Sequence, residues 1–121
     1  MSGRSVVELT LSYIEENPDG DLSLDEISRR LNYSKFYIAR AFSEEMGCTL
    51  YKYIQGRRLA EAARKLAETE MPIVEIAYEA HYNSQQAFTL AFHQYYQCTP
   101  QVYRKTRVSP ARQNREERMA A

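Results

Sequence analysis

Residues 22–49 read LSLDEISRRLNYSKFYIARAFSEEMGCT, and residues 71–99 read MPIVEIAYEAHYNSQQAFTLAFHQYYQCT. The second stretch repeats the first with one inserted residue, Asn83. The matching residues are Glu26-Ile27 with Glu75-Ile76, Tyr33 with Tyr82, Ser34 with Ser84, Ala41-Phe42 with Ala91-Phe92, Cys48-Thr49 with Cys98-Thr99, and Tyr53 with Tyr103. Because the matches are spread along the whole stretch, we infer that one structural unit occurs twice.

Each copy predicts a short helix, a tight turn and a second helix. In the first copy, Ser23 and Glu26 have the spacing of a capping box, in which both side chains accept from free backbone N–H groups. Asn32-Tyr33 predicts the turn. Ser34 is placed to cap the second helix, and Gly47 is placed to end it. In the second copy, Pro72 suits the first helical position and Ser84 repeats the second cap.

Apolar periodicity predicts three more helices, and no segment alternates as a strand does. They are residues 6–16, a long helix at 49–68 and a short one from Thr99-Pro100 to about Arg104. The expected fold is all-α, with about seven helices and two helix-turn-helix subdomains joined by a long central helix. The predicted parts are a first subdomain at 1–48, a linking helix at 49–68, a second subdomain at 69–107 and a flexible polar tail at 108–121.

Charge is segregated along a chain whose formal net charge is zero. Residues 34–66 carry the basic side chains Lys35, Arg40, Lys52, Arg57, Arg58, Arg64 and Lys65, against Glu44, Glu45 and Glu61. Residues 1–33 carry the acidic side chains Glu8, Glu15, Glu16, Asp19, Asp21, Asp25 and Glu26, against Arg4, Arg29 and Arg30. A positive face can therefore bind phosphates while an acidic face points elsewhere.

The sequence lacks the patterns of several other classes of protein. It has no nucleophile-base set, paired catalytic carboxylates or Gly-rich phosphate loop, so we expect neither an enzyme nor a cofactor. Cys48 and Cys98 lack partners at metal-ligand spacing and read as small packing residues. We expect no membrane span and no signal peptide, and hence the cytoplasm or another soluble compartment.

The second helix of each copy is the one that can enter a major groove of DNA. In the first copy, the face opposite the core and its surroundings carry Ser34, Lys35, Phe36, Ala39, Arg40 and Ser43. Arg40 can donate two parallel hydrogen bonds to guanine, and Phe36 can touch a thymine methyl. The alternative is that Phe36 packs on a neighbouring helix and Arg40 is a solvated charge. The cap, Lys35 and the repeat together favour DNA.

The equivalent residues in the second copy are Ser84, Gln85, Gln86, Thr89, Leu90 and His93. Glutamine can pair with adenine through two hydrogen bonds. No Lys or Arg lies between Glu68 and Tyr103, so phosphate contacts are left to Ser84, backbone amides and His93. We therefore expect this copy to bind DNA more weakly or to need the first for anchoring. His81 reads as a turn residue.

The long helix sets the expected spacing of the two readers. About 20 residues at ~1.5 Å each span about 30 Å. Recognition helices in successive major grooves lie about 34 Å apart. Lys52 and either Arg57 or Arg58 are available for the phosphates between them. A chain with two readers can bind an asymmetric site as a monomer, and no heptad zipper is present.

Residues 11–107 resemble the DNA-binding domain of AraC/XylS-type transcription regulators, and most closely its short, stand-alone members. The motifs are Leu22-Ser-Leu-Asp-Glu-Ile27, Tyr33-Ser-Lys-Phe-Tyr-Ile-Ala-Arg40, Tyr53-Ile-Gln-Gly-Arg-Arg-Leu59, Pro72-Ile-Val-Glu-Ile-Ala77, Tyr82-Asn-Ser-Gln-Gln-Ala-Phe88 and Pro100-Gln-Val-Tyr-Arg104. The resemblance implies transcription activation by a monomer that also contacts RNA polymerase. It places base-reading positions at Phe36, Ala39 and Arg40, and at Gln85, Gln86, Ala87 and Leu90.

The sequence departs from the family pattern at several of these positions. Phe36 stands where close relatives often have Trp, Ala39 replaces a polar reader, Leu90 stands where Arg is common, and His81 replaces a frequent glycine. Many members also carry an effector-binding domain, and no small-molecule effector domain is evident in this chain. The rival hypothesis is a protein-interaction module with a regulator-like fold, whose second copy docks a protein partner through Leu90.

Overall fold

Seven α-helices make up the fold of residues 5–107, which are the residues that the computed structural model describes. In chain order they are α1 (Val6–Glu16), α2 (Leu24–Leu31), α3 (Lys35–Met46), α4 (Leu50–Glu68), α5 (Ile73–Glu79), α6 (Gln85–Tyr96) and α7 (Pro100–Thr106). No β-strand occurs among these residues, so the prediction of an all-α fold with about seven helices is confirmed. The predicted tail at 108–121 lies outside the described residues.

The chain divides into two compact units within α4. The first unit ends at Gln55, and the second begins at Gly56. Each unit has its own apolar core. Near its start, α4 adds Leu50 and Ile54 to the core of the first unit. Further along, it adds Leu59, Ala62, Ala63 and Leu66 to the core of the second unit. The long helix is therefore a packing element of both units as well as the connection between two helix-turn-helix motifs.

The first unit begins with a complete capping box at α1. The Ser5 hydroxyl accepts from the backbone N–H of Glu8 at 3.1 Å, and a Glu8 carboxylate oxygen accepts from the backbone N–H of Ser5 at 2.9 Å. Two of the N–H groups that a helix leaves unbonded at its start are thereby satisfied. Thr10, the buried polar residue of this helix, donates to the carbonyl of Val6 at 2.8 Å.

The capping box predicted at Ser23 and Glu26 forms only in part. The Ser23 hydroxyl accepts from the backbone N–H of Glu26 at 3.2 Å, but the N–H of Ser23 donates to Asp21 at 2.9 Å. Arg29 and Arg30 donate to the Glu26 carboxylate at 2.6 and 2.8 Å, and these hydrogen bonds, Arg29 first, lower the Glu26 pKa. In these bonds both the donor and the acceptor are ionised, whereas the backbone N–H of a capping box is a neutral donor. The expectation for Glu26 is therefore wrong, because its partners lie further along α2.

The turns between the paired helices use the left-handed region of backbone space. Asn32, in the turn before α3, has a φ of 62°, and His81, in the turn before α6, has a φ of 70°. Asn adopts this conformation at a lower cost than most residues with a Cβ. The placement of His81 in the second turn confirms its interpretation as a turn residue.

The second unit closes around an aromatic cluster and an arginine. Phe92 is fully buried and lies within 5.6 Å, centroid to centroid, of three other rings. They belong to Phe88, Tyr96 and Tyr103. Arg104 of α7 donates to the carbonyls of Leu66 at 3.1 Å and Met71 at 2.7 Å. One side chain thus binds a carbonyl in the last turn of α4 and another in the segment that follows it.

Candidate nucleic-acid interface

The second helix of each unit begins and ends in the same way. α3 is capped by Ser34, whose hydroxyl accepts from the N–H of Tyr37 at 3.1 Å. α6 is capped by Ser84, whose hydroxyl accepts from the N–H of Ala87 at 3.0 Å. Both predicted caps are confirmed. Each helix has 12 residues and ends at a left-handed residue, Gly47 in α3 and Gln97 in α6, so the sequence repeat is also a structural repeat.

α3 turns one face to the core and leaves the opposite face in solvent. Ile38 and Phe42 are buried, 1% and 0% exposed. Of the residues predicted to read DNA, Ser34, Lys35, Phe36, Arg40 and Ser43 are exposed, and Ala39 is half-buried. Four of these residues have the spacing i, i+3, i+4 and i+7 and therefore lie on one side of the helix: Phe36, Ala39, Arg40 and Ser43. The exposed face of α3 can therefore enter a major groove of DNA while the buried face stays packed in the core of the first unit.

Phe36 and Arg40 dominate that face. Phe36 is 76% exposed, which excludes the alternative that it packs on a neighbouring helix. Within residues 5–107, Arg40 has neither an ion pair nor a hydrogen bond to another side chain. A planar guanidinium without an internal partner can present its two parallel donors to a guanine edge. The face therefore presents one apolar contact and one strong donor, four residues apart.

Lys35 has a competing partner in the protein. Its Nζ lies 3.1 Å from an Asp25 carboxylate oxygen on α2 and 6.0 Å from the centre of the Phe36 ring. The side chains of Lys35 and Asp25 are 48% and 81% exposed, so water screens the pair and its net contribution to stability is small. A phosphate can replace Asp25 at little cost.

The basic residues of α4 that were predicted to contact phosphates differ in how far they are exposed to solvent. Lys52 is exposed, and its backbone N–H donates to the Thr49 hydroxyl at 3.1 Å at the start of the helix. Of the two adjacent arginines, Arg57 is exposed and Arg58 is half-buried. Exposure favours Arg57 over the half-buried Arg58 as the phosphate contact.

α6 repeats the arrangement of α3 with different side chains. Phe88 and Phe92 are fully buried. Of the predicted readers, Gln86, Leu90 and His93 are exposed, whereas Ser84, Gln85 and Thr89 are half-buried. An open depression along the start of the helix is lined by Ser84, Gln85, Gln86, Ala87, Thr89 and Leu90. α6 itself contains no Lys, Arg, Asp or Glu, so its exposed face is close to electrically neutral.

Two tyrosines beside the first cap were not among the predicted site residues. Tyr33 and Tyr37 are 40% and 52% exposed, and their ring centroids are 5.7 Å apart. They lie on either side of Ser34 and four residues apart, and this spacing could have indicated from the sequence that both rings lie beside the cap. Phenol hydroxyls donate to phosphate oxygens in many protein–DNA complexes. Both are therefore candidates for backbone contacts beside α3.

A capped and exposed second helix in each of two units is the arrangement of a protein with two helix-turn-helix motifs, the class in which DNA-binding regulators are common. The comparisons agree, since a family model described as a helix-turn-helix domain matches residues 27–106. The chain belongs to the AraC-type family of DNA-binding transcription regulators, as the resemblance implied.

Named relatives and a solved structure agree with this assignment. The chain is 38% identical over 110 residues to the multiple antibiotic resistance protein MarA of Escherichia coli, covering 88% of this chain and 87% of MarA. It is 36% identical over 100 residues to the transcriptional activator AarP of Providencia stuartii, covering 83% of this chain and 74% of AarP. The C-terminal domain of AraT, a response regulator from Geobacillus stearothermophilus, matches with a TM-score of 0.81 and 32% identity, covering 88% of each chain.

Proposed function

We propose that the chain binds as a monomer to an asymmetric site on duplex DNA, with α3 and α6 in successive major grooves. The observation that carries the proposal is the repetition of one capped recognition helix, with an exposed face, in two units of a single chain. A protein with two different readers needs no two-fold partner, and its site need not be palindromic.

In this proposal α3 anchors the complex. Arg40 reads guanine, Phe36 contacts a thymine methyl or a sugar, and the small side chain of Ala39 lets the helix approach the base edges. Ser43 lies at the far end of the same face. Phosphate contacts come from Ser34, Lys35, Lys52 and Arg57. Lys35 exchanges its exposed ion pair with Asp25 for a phosphate when DNA binds.

α6 supplies the second set of contacts. Gln86 is exposed and can pair with adenine, whereas the half-buried Gln85 and Thr89 approach the groove from the side of the helix. Ser84, the backbone amides of the first turn and His93 are the groups of this helix that can reach phosphates. Because no Lys or Arg lies between Glu68 and Tyr103, this half depends on α3 for anchoring.

We also propose that binding activates transcription through contact with RNA polymerase in the cytoplasm. Support comes from the family and from AarP, whose name describes a transcriptional activator. No helix within residues 5–107 is long and apolar enough to cross a membrane. The acidic residues of α1 offer one surface for such a contact.

The rival proposal is that α6 docks a protein partner. The observation that favours it is the 63% exposure of Leu90 on a helix face without a charged residue. Gln86 and Thr89 discriminate the two proposals, since their substitution lowers DNA affinity only if α6 enters a groove. Leu90→Glu would abolish capture of a protein partner only if α6 is a docking helix.

The test is a selection of binding sequences from random duplex DNA at moderate salt, with the wild type and Arg40→Ala. We expect the wild type to enrich an asymmetric motif of roughly 15–20 base pairs and the variant to lose one half of it. Enrichment of a single short half-site would contradict base reading by α6. Absence of any enriched motif would overturn the DNA-binding proposal and give the docking proposal first place.

A further inference from the structure

Arg40 and Leu90 occupy the same position in the two recognition helices. Each lies six residues after its capping serine, Ser34 or Ser84, and each is exposed. The repeat therefore places an aliphatic side chain in the second unit where the first unit has its donor to guanine. Leu90 is 63% exposed, so its methyl groups are available to a ligand.

We propose that Leu90 is the specificity-determining residue of the second half-site and selects thymine through its 5-methyl group, beside an adenine paired with Gln86. The inference rests on the proposed function and deepens it by naming the bases that α6 reads. The supporting residue is Ala87, which is exposed and lies one turn before Leu90.

The composition of α6 disfavours the G·C pair. Guanine is read best by the paired donors of Arg or by Lys, and α6 has neither. The amino group of cytosine is read by a carboxylate, and α6 has no Asp or Glu. Adenine matches the amide of glutamine, and thymine is the one unmodified base with a methyl group in the major groove. The side chains of α6 therefore favour an A·T-rich half-site.

The helix geometry brings these groups together. Leu90 follows Gln86 by four residues and Ala87 by three, and residues at these spacings are neighbours on a helix surface. All three line the same open depression. A thymine methyl that enters it is covered by Leu90 and Ala87 while the amide of Gln86 pairs with a nearby adenine. The contact needs no charge, which fits the neutral composition of α6.

The test uses the duplex that the wild type enriches from random DNA. Thymines of the second half-site are replaced one at a time by uracil, which lacks the 5-methyl group but keeps the same hydrogen-bonding edge. At the contacted position we expect wild-type affinity to fall about fourfold, the value of one buried methyl group. Leu90→Ala should bind the thymine and uracil duplexes nearly equally, because the group that covers the methyl is missing.

The control is Val102→Ala, which shortens another exposed aliphatic side chain, on α7, and should keep the wild-type sensitivity to uracil. A second selection with Leu90→Arg should move the enriched base at this position from thymine towards guanine. Circular dichroism checks that each variant keeps its helices.

The outcomes separate this inference from the proposed function. If uracil has no effect at any position while Arg40→Ala still loses half of the motif, the thymine inference is overturned and the DNA-binding proposal stands. If the wild type enriches no motif, both fall together. A loss with uracil that is the same in the wild type and in Leu90→Ala would assign the methyl contact to another residue.

Discussion

The two units build the same helix-turn-helix frame and give it different surfaces. In α3 the exposed positions hold an aromatic ring, a guanidinium and a neighbouring ammonium, whereas in α6 they hold amides, a leucine and a histidine. The buried positions hardly differ, because Phe42 of the first unit and Phe92 of the second are both fully buried. The core of the repeat is thus constrained by packing, and its exposed face is free to take another chemistry.

The largest expected effect tests the shared frame. Phe42→Ala and Phe92→Ala each remove a fully buried ring, and each should lower the free energy of unfolding by about 3–5 kcal/mol. Urea denaturation followed by circular dichroism measures the loss. Phe36→Ala is the control, because a 76% exposed ring should change stability by no more than about 0.5 kcal/mol. If either substitution lowered the free energy of unfolding only slightly, the two phenylalanines would not have equivalent roles in the cores of the two units.

The next effect tests the proposed base reader of α3. Arg40→Ala should weaken binding to the enriched duplex by about 1–3 kcal/mol, a factor of roughly 5 to 150. Fluorescence anisotropy with specific and scrambled duplexes measures the loss, which should be much smaller on the scrambled one. Arg64→Ala is the control, since Arg64 is an exposed arginine of α4 that pairs with Glu61 and Glu68. Equal losses on both duplexes would make Arg40 a phosphate contact.

A smaller effect is expected where the two recognition helices end. Gly47 has a φ of 76° and Gln97 has a φ of 66°, a region that favours glycine over residues with a Cβ. Gln97→Gly should therefore stabilise the second unit by about 0.5–1 kcal/mol, and Gly47→Ala should destabilise the first by about 1 kcal/mol. Thermal unfolding measures both. A Gln97→Gly variant less stable than the wild type would show that the Gln97 side chain contributes more than its backbone costs.

The smallest effect concerns the ion pair beside α3. Asp25→Asn frees Lys35 for phosphate, and we expect DNA affinity to rise by up to about fivefold, because exposed pairs contribute about 0.2–1 kcal/mol. Lys35→Ala should make the negative slope of log affinity against log salt shallower by about 0.9. Titrations at several salt concentrations measure both. An unchanged slope in Lys35→Ala would remove Lys35 from the interface.

The local signals in the sequence predicted most of the fold. The caps Ser34 and Ser84 form as expected, and Phe42 and Phe92 lie on the buried faces of their helices, whereas Met46, also expected to be buried, is 36% exposed. The repeat shows both the apolar periodicity and the capping residues of α3 and α6. The exposed face of each helix could therefore be predicted as the one opposite its apolar stripe. The base-reading roles of these faces stay predictions.

The sequence could not determine the hydrogen-bond and ion-pair partners of the charged side chains, because these depend on which groups are close in the folded chain. Glu26 had the right spacing for a capping box, yet two arginines on the next turn bind it instead. Asp25 pairs with Lys35 across two helices, and Arg104 reaches the carbonyl of Leu66 across 38 residues. The periodic pattern of apolar residues alone determined the helices and their buried sides, because helix geometry repeats every few residues. Only the tertiary structure decided the pairing of charges, since a charged side chain chooses among all partners within its reach, whether they lie one turn away, as for Glu26, or on another helix, as for Asp25.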